Sequence, residues 1–218
     1  MAEVSAKAVQ ELRTKTGAGM MDCKAALAEC AGDMEKAIEF LRKKGLKNLD
    51  KRAAKVAAEG VIGVYSHHGG QIVSIVELNC ETDFVARSEE FVSLARDIAM
   101  HIAAMNPRYL SEEDVPAEVL AKEKEILTEQ LDEKQRNMAE KILPGKLKKF
   151  YEDNCLLTQN FVRDESGKLS IKNLIEQLGV KVGEKLALRR FQRFEVGEGI
   201  EKASTNFAAE VAAQIGNS

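Results

Sequence analysis

The spacing of apolar residues changes period once along this chain, and that single change confines the fold to a narrow class. Through residue 41, apolar side chains recur at three- and four-residue intervals: Val4, Ala8, Val9 and Leu12, then Cys23, Ala26, Leu27 and Cys30, then Met34, Ala37, Ile38 and Leu41. That spacing places each group on one face of a short helix. From residue 61 the period falls to two. Val61-Ile-Gly-Val-Tyr65 and Ile72-Val-Ser-Ile-Val-Glu-Leu78 alternate around His67-His68-Gly69-Gly70, which predicts an antiparallel hairpin with a polar tip. A helical block followed by a hairpin and further helices predicts an α+β protein. The expected units are a three-helix module over 1–45, a partly helical, loosely joining linker over 46–60, an α+β core over 61–202 with a small antiparallel sheet packed by helices, and a C-terminal helical module over 203–218.

Local punctuation refines this layout. Gly32-Asp33 offers a helix stop followed by an N-cap, and Lys43-Lys44-Gly45 a cationic end with a C-cap glycine. Ser88-Glu-Glu predicts a capped acidic first turn for a helix whose Phe91, Leu94, Ala95, Ile98 and Ile102 share a face until Asn106-Pro107. One long helix is expected over 116–143, with Leu120, Leu127, Leu131, Met138 and Ile142 along a stripe, stopped by Pro144-Gly145. Then come a short strand at Asn160-Phe161-Val162, a helix from Ser170 to Leu178 stopped by Gly179, and a strand over Lys185–Val196 whose alternation slips near Phe191–Phe194, the mark of a bulge. Phe207, Val211 and Ile215 in helical register close the chain.

Composition narrows function mainly by exclusion. Charged residues make up 31% with both signs interspersed and a net charge of -3, so no overall field draws the chain to nucleic acid or an anionic membrane. No window approaches 18 uninterrupted apolar residues, too short for a membrane span. The first residues lack the apolar run of an export signal, which makes the cytoplasm the expected location. Cysteines at 23, 30, 80 and 155 have no zinc-site spacing and read as free thiols in a reducing compartment.

Templates for covalent chemistry fail for want of parts. His67 and His68 are adjacent and point to opposite faces, a solvated tip rather than a metal pair. His101, between Met100 and Ile102, reads as packing. Cys80 beside Asp83 lacks the partners of a thiol nucleophile. Gly17-Ala-Gly19 and Gly197-Glu-Gly199 lack the flanking pattern of a phosphate loop and read as turns. The basic stretch from Arg42 to Arg52 has no interleaved aromatics for base stacking. No cofactor, no metal, no catalytic residue and no direct nucleic-acid contact are expected, which leaves a binding protein.

Two stretches are more specific: Leu12-Arg-Thr-Lys-Thr-Gly-Ala-Gly-Met-Met-Asp-Cys-Lys-Ala-Ala-Leu27 and Asn79-Cys-Glu-Thr-Asp-Phe-Val-Ala-Arg87. With Gly32-Asp-Met-Glu-Lys-Ala-Ile-Glu-Phe-Leu-Arg42 and Arg193-Phe-Glu-Val-Gly-Glu-Gly-Ile-Glu-Lys202 in order, they resemble the elongation factor Ts family across nearly the whole chain. The resemblance implies a guanine-nucleotide exchange factor for elongation factor Tu, with an N-terminal module similar to the ubiquitin-associated fold. It implies GTPase contacts at Leu12, Arg13, Thr16, Gly17 and Met20 in the module and at Thr82, Asp83, Phe84 and Val85 in the core, where Asp83 and Phe84 enter beside the magnesium site. The chain is similar to the shorter family members, in which a second copy can complete the core and give a two-plus-two complex. A different class of reading is a peptide-binding adaptor that uses the helical module alone. For Asp83 and Phe84 the bland reading is a helix N-terminus with a buried ring.

Overall fold

The computed structural model describes residues 4–200, so the closing helix expected at 203–218 lies outside the described residues. Three helices open the chain: α1 (Ala6–Thr16), α2 (Met20–Glu29) and α3 (Met34–Lys51). Their ends follow the local chemistry. The Ser5 hydroxyl accepts from the Ala8 amide at 3.2 Å, and the Asp33 carboxylate accepts from the Lys36 amide at 3.0 Å. Val9, Leu12, Cys23, Ala26, Leu27, Ala37 and Leu41 form a small apolar cluster of their own.

The core is an α+β unit built on a three-stranded antiparallel sheet, β1 (Glu59–His67), β2 (Ile72–Cys80) and β3 (Ala187–Glu195), in the order β1-β2-β3. One face of the sheet carries Val76, Leu78 and Cys80 against Phe91, Leu94, Ala95, Ile98 and Ile102 of α5 (Glu89–Met105), the face predicted from period. Gly63 lets α5 come close, because a Cβ there would lie 2.4 Å from the Ala95 carbonyl oxygen. His101 is buried. Its Nδ1 accepts from the Val162 amide at 3.2 Å, so Nε2 carries the proton and donates to Gln159 Oε1 at 3.0 Å. Burial lowers its pKa and keeps the imidazole neutral.

Several boundaries differ from expectation, each for a tertiary reason. Gly45 does not cap α3; it lies inside it, where its missing side chain admits α9 (Ile171–Val182), since a Cβ would stand 2.4 Å from Val180 Cγ1. Gly179 likewise does not stop α9, which runs on to its left-handed cap at Gly183. The expected 116–143 helix is broken into α6 (Ala117–Glu129), α7 (Glu133–Arg136) and α8 (Ala139–Asn154). Leu131 turns inward at the break, and Asp132 with Gln135 forms a capping box that starts a new helix. Here α6 packs on α8, so the apolar stripe finds its partner by folding back on itself. Pro144 sits within α8 on an exposed side, where water can reach the carbonyl it leaves unbonded. Asn160 makes only an isolated bridge to Ser170 in place of the expected strand. The bulge in β3 falls at Arg189 rather than Phe191–Phe194, and it turns Arg189 and Arg190 together onto Glu77 at 2.9 and 2.6 Å.

Candidate functional site

The second motif lies at the corner where β2 ends. After Cys80 the chain turns, Thr82 takes extended backbone angles, and its hydroxyl accepts from the Val85 amide at 3.4 Å to cap the single turn α4 (Asp83–Ala86). An acidic residue at the first position of a helix suits the positive end of its dipole. Val85 and Ala86 are buried under the turn, which forces the intervening residues outward. Phe84 is 83% exposed. The reading with a buried ring is thereby overturned. Asp83 is also exposed and meets Arg87 one turn on at 3.1 Å. Ser88 stands at the N-cap of α5, yet its hydroxyl donates back to the Val85 carbonyl at 2.8 Å, so it locks α4 onto α5 instead of capping the helix it precedes.

The corner is held from outside by residues that no motif marked. Glu184 Oε2 accepts from the Glu81 and Thr82 amides, each at 3.1 Å, and Oε1 accepts from the Thr82 hydroxyl at 2.6 Å. Glu81 reciprocates by accepting from the Lys185 amide at 2.8 Å and from Arg52 Nη1 at 3.0 and 2.8 Å. The Lys185 amide, followed by Arg52, holds the Glu81 carboxyl below the usual carboxylate range. Lys185 Nζ in turn donates to the Ala53 and Lys55 carbonyls at 2.6 and 3.0 Å. The segment expected to be a loose linker is therefore tied to the corner. In the sequence Lys185 is marked only as the start of the expected strand, and Glu184 not at all.

The first motif forms the turn between α1 and α2. Gly17 caps α1 in the left-handed region at φ 67°, where glycine is favoured. The Thr16 hydroxyl donates to the Leu12 carbonyl at 2.7 Å and accepts from the Ala18 amide at 3.3 Å. Leu12 is wholly buried in the module cluster, while Arg13, Gly17 and Met20 are exposed. Of the nine residues singled out, Leu12 and Val85 are buried. The two motifs are linked through α9: the Lys181 stem lies against Gly17 and its ammonium meets Glu90 at the start of α5.

Nothing at the corner is poised for covalent chemistry. Burial first, then the charge of Glu184, push the Cys80 thiol up, and it donates to the Thr82 carbonyl at 3.1 Å. A protonated, hydrogen-bonded thiol is a poor nucleophile. Among the described residues, no group of three or more His, Cys, Asp or Glu side chains is placed to hold a metal ion. None of the described helices is long and apolar enough to cross a membrane. What the corner presents is an aromatic ring and a carboxylate on a braced support.

The model of the family described as elongation factor TS matches residues 3–198. The chain belongs to the elongation factor Ts family. It is similar to the elongation factor Ts of Desulforamulus reducens, at 55% identity over 217 residues and 99% of both chains. It is also similar to that of Carboxydothermus hydrogenoformans, at 53% over 214 residues, 97% of this chain and 98% of the relative. With the elongation factor Ts of Microcystis aeruginosa the identity is 55% over 219 residues, 99% of this chain and 86% of the relative. Membership makes this chain a factor of translation elongation, and the matched span contains both the Leu12–Leu27 turn and the Asn79–Arg87 corner.

Proposed function

We propose that this member of the elongation factor Ts family is a guanine-nucleotide exchange factor for elongation factor Tu, and that it promotes GDP release by pressing Asp83 and Phe84 into the GTPase beside its magnesium site. The observation that carries the reading is the exposure of Phe84 at the tip of a capped, braced turn. A large apolar side chain left in water on a rigid support gains free energy once a partner buries it. Full burial of such a ring is worth about 1.5–3 kcal/mol, and at about 1.4 kcal/mol per tenfold that is roughly one to two decades of affinity.

No bond needs to break. If the factor weakens GDP binding by some ratio, GDP weakens the factor by the same ratio, and both share a transient ternary complex. In this scheme Arg13, Gly17 and Met20, supported by Leu12 and Thr16, anchor the GTPase, and Thr82 and Val85 hold the tip. The units that divide this labour are the helical module, its tether, the α+β core and the C-terminal segment at 203–218. The setting is the cytoplasm, where translation elongation runs. A homodimer giving a two-plus-two complex fits the face of the sheet opposite α5, where Ile62, Val64 and Phe194 are each half or more exposed among the described residues, and the edges of β1 and β3, which pair with no further described strand.

Release of a fluorescent GDP from elongation factor Tu, followed by stopped flow, tests the reading. Phe84→Ala is expected to slow factor-stimulated release about tenfold while the fold is retained. Release at the unmodified rate would remove the wedge.

A further inference from the structure

We infer that Glu184 is a positioning residue for the Asp83–Phe84 tip, acting through the backbone of Glu81 and Thr82; the inference rests on the exchange reading above. Phe84 is exposed and has almost no packing of its own to fix it. Its place is set by the backbone just before α4, where the chain leaves the sheet ladder at Cys80 and has not yet entered the helix. Two consecutive amides there, those of Glu81 and Thr82, have no other acceptor among the described residues, and both bond the same carboxylate oxygen of Glu184. The second oxygen takes the Thr82 hydroxyl. That same hydroxyl oxygen caps Val85, so the Glu184 carboxylate orients the cap from which Asp83 and Phe84 project.

Glu184 is itself aimed by the fold. Gly183 ends α9 in the left-handed region at φ 71°, and the Glu184 amide bonds back to the Gly179 carbonyl at 3.2 Å. The reciprocal bond from the Lys185 amide to Glu81 closes a two-way clasp between the start of β3 and the end of β2. Hydrogen bonds to an ionised acceptor are roughly twice as strong as neutral ones, and a misplacement of about 1 Å at a working group can cost about a hundredfold in rate. Glu184 therefore sets how well the tip is held without needing to touch the GTPase.

The test compares Glu184→Ala, Glu184→Gln, Phe84→Ala and the Glu184→Ala/Phe84→Ala double variant of the full chain in GDP release from elongation factor Tu. Glu184→Ala is expected to lower the maximal release rate at saturating factor about tenfold, with the half-saturating concentration changed less than about threefold, because the anchoring module is intact. Glu184→Gln keeps one acceptor oxygen for the two amides and is expected within about threefold of the unmodified factor. In the Phe84→Ala background, Glu184→Ala is expected to cost less than about a further twofold, since a residue acting through the tip has little left to position. Phe84→Ala slow and Glu184→Ala at the unmodified rate would overturn the clasp alone, as would effects that multiply in the double variant. Phe84→Ala at the unmodified rate would remove the wedge and the clasp with it.

Discussion

The two exposed motifs of this protein, the Thr16–Met20 turn of the module and the Glu81–Arg87 corner of the core, are braced in opposite ways. Among the described residues, the hydrogen bonds that shape the module turn come from within a few residues: Gly17 to Arg13, Thr16 to Leu12, Ala18 to Thr16, the Cys23 amide to the Gly19 carbonyl, and the Cys23 thiol to the Ala18 carbonyl. The corner depends on Arg52, 29 residues before Glu81, and on Glu184 and Lys185, 102 to 104 residues beyond their partners. The module turn is thus a local device seated on its own small apolar cluster, and the corner is a long-range one that exists only once the sheet and α9 are assembled. In the proposed exchange cycle that difference suits their work. An anchor can tolerate a little motion, whereas a wedge loses force if its support gives.

The contrast can be broken most strongly at Leu12. Leu12→Ala removes a wholly buried side chain from the module cluster, at a cost of about 2–5 kcal/mol. Because the core has a separate cluster, amide exchange is expected to lose protection across α1 and α2 while the Glu81 and Thr82 amides keep theirs. Loss of protection at both places together would show that the two braces are not independent.

A smaller effect is expected at the crossing of α3 and α9. Gly45→Leu puts a side chain where a single Cβ already comes within 2.4 Å of Val180, and overpacking of this kind costs about 1–3 kcal/mol. Both turns keep their local shape, but the spacing between them is no longer set. The concentration of factor needed for half-maximal nucleotide release is expected to rise about tenfold or more as two-point attachment is lost, with little change in the maximal rate. A fall in maximal rate at unchanged half-saturation would mean that the crossing supports the tip itself.

The smallest effect is one of pH. The Glu81 carboxyl is held below its ordinary 4.5 by the Lys185 amide and Arg52. Its contribution is fully present above that value and is lost as pH falls through the lowered one, because the unfolded chain takes up the proton first. The Thr16–Met20 turn contains no titratable side chain. Acidification from pH 6 to about 3.5 is expected to weaken protection of the Lys185 amide before that of Gly17. Equal loss at both would remove Glu81 as the sensitive element.

Much of this was legible in the residues themselves. The change of period separated the helical module from the hairpin, and Asp33, the Gly17 turn and the Phe91–Ile102 face stand where local chemistry put them. The order of motifs pointed to the family, and the Asn79–Arg87 stretch to the corner. Gly45, Gly179 and Pro144 look like helix stops in the sequence, and none of them is one. The two glycines lie inside helices, Gly45 at the crossing that a side chain would block, and the proline lies inside a third helix at its surface. Leu131 fits a continuous stripe in the sequence, yet it turns inward at the break just after α6.

By itself the sequence determined what is settled within a turn or two of the chain: the caps, the periods, the left-handed Gly17 and the helical start at Thr82. Only the tertiary structure decided that Phe84 stands in water, that Glu184 rather than a neighbour braces it, and that α3 reaches Lys51 to bring Arg52 to Glu81. The reason is one of distance along the chain. A bond across a few residues costs little ordering and can be read from adjacent letters, whereas one across a hundred forms only after the core has brought its ends together.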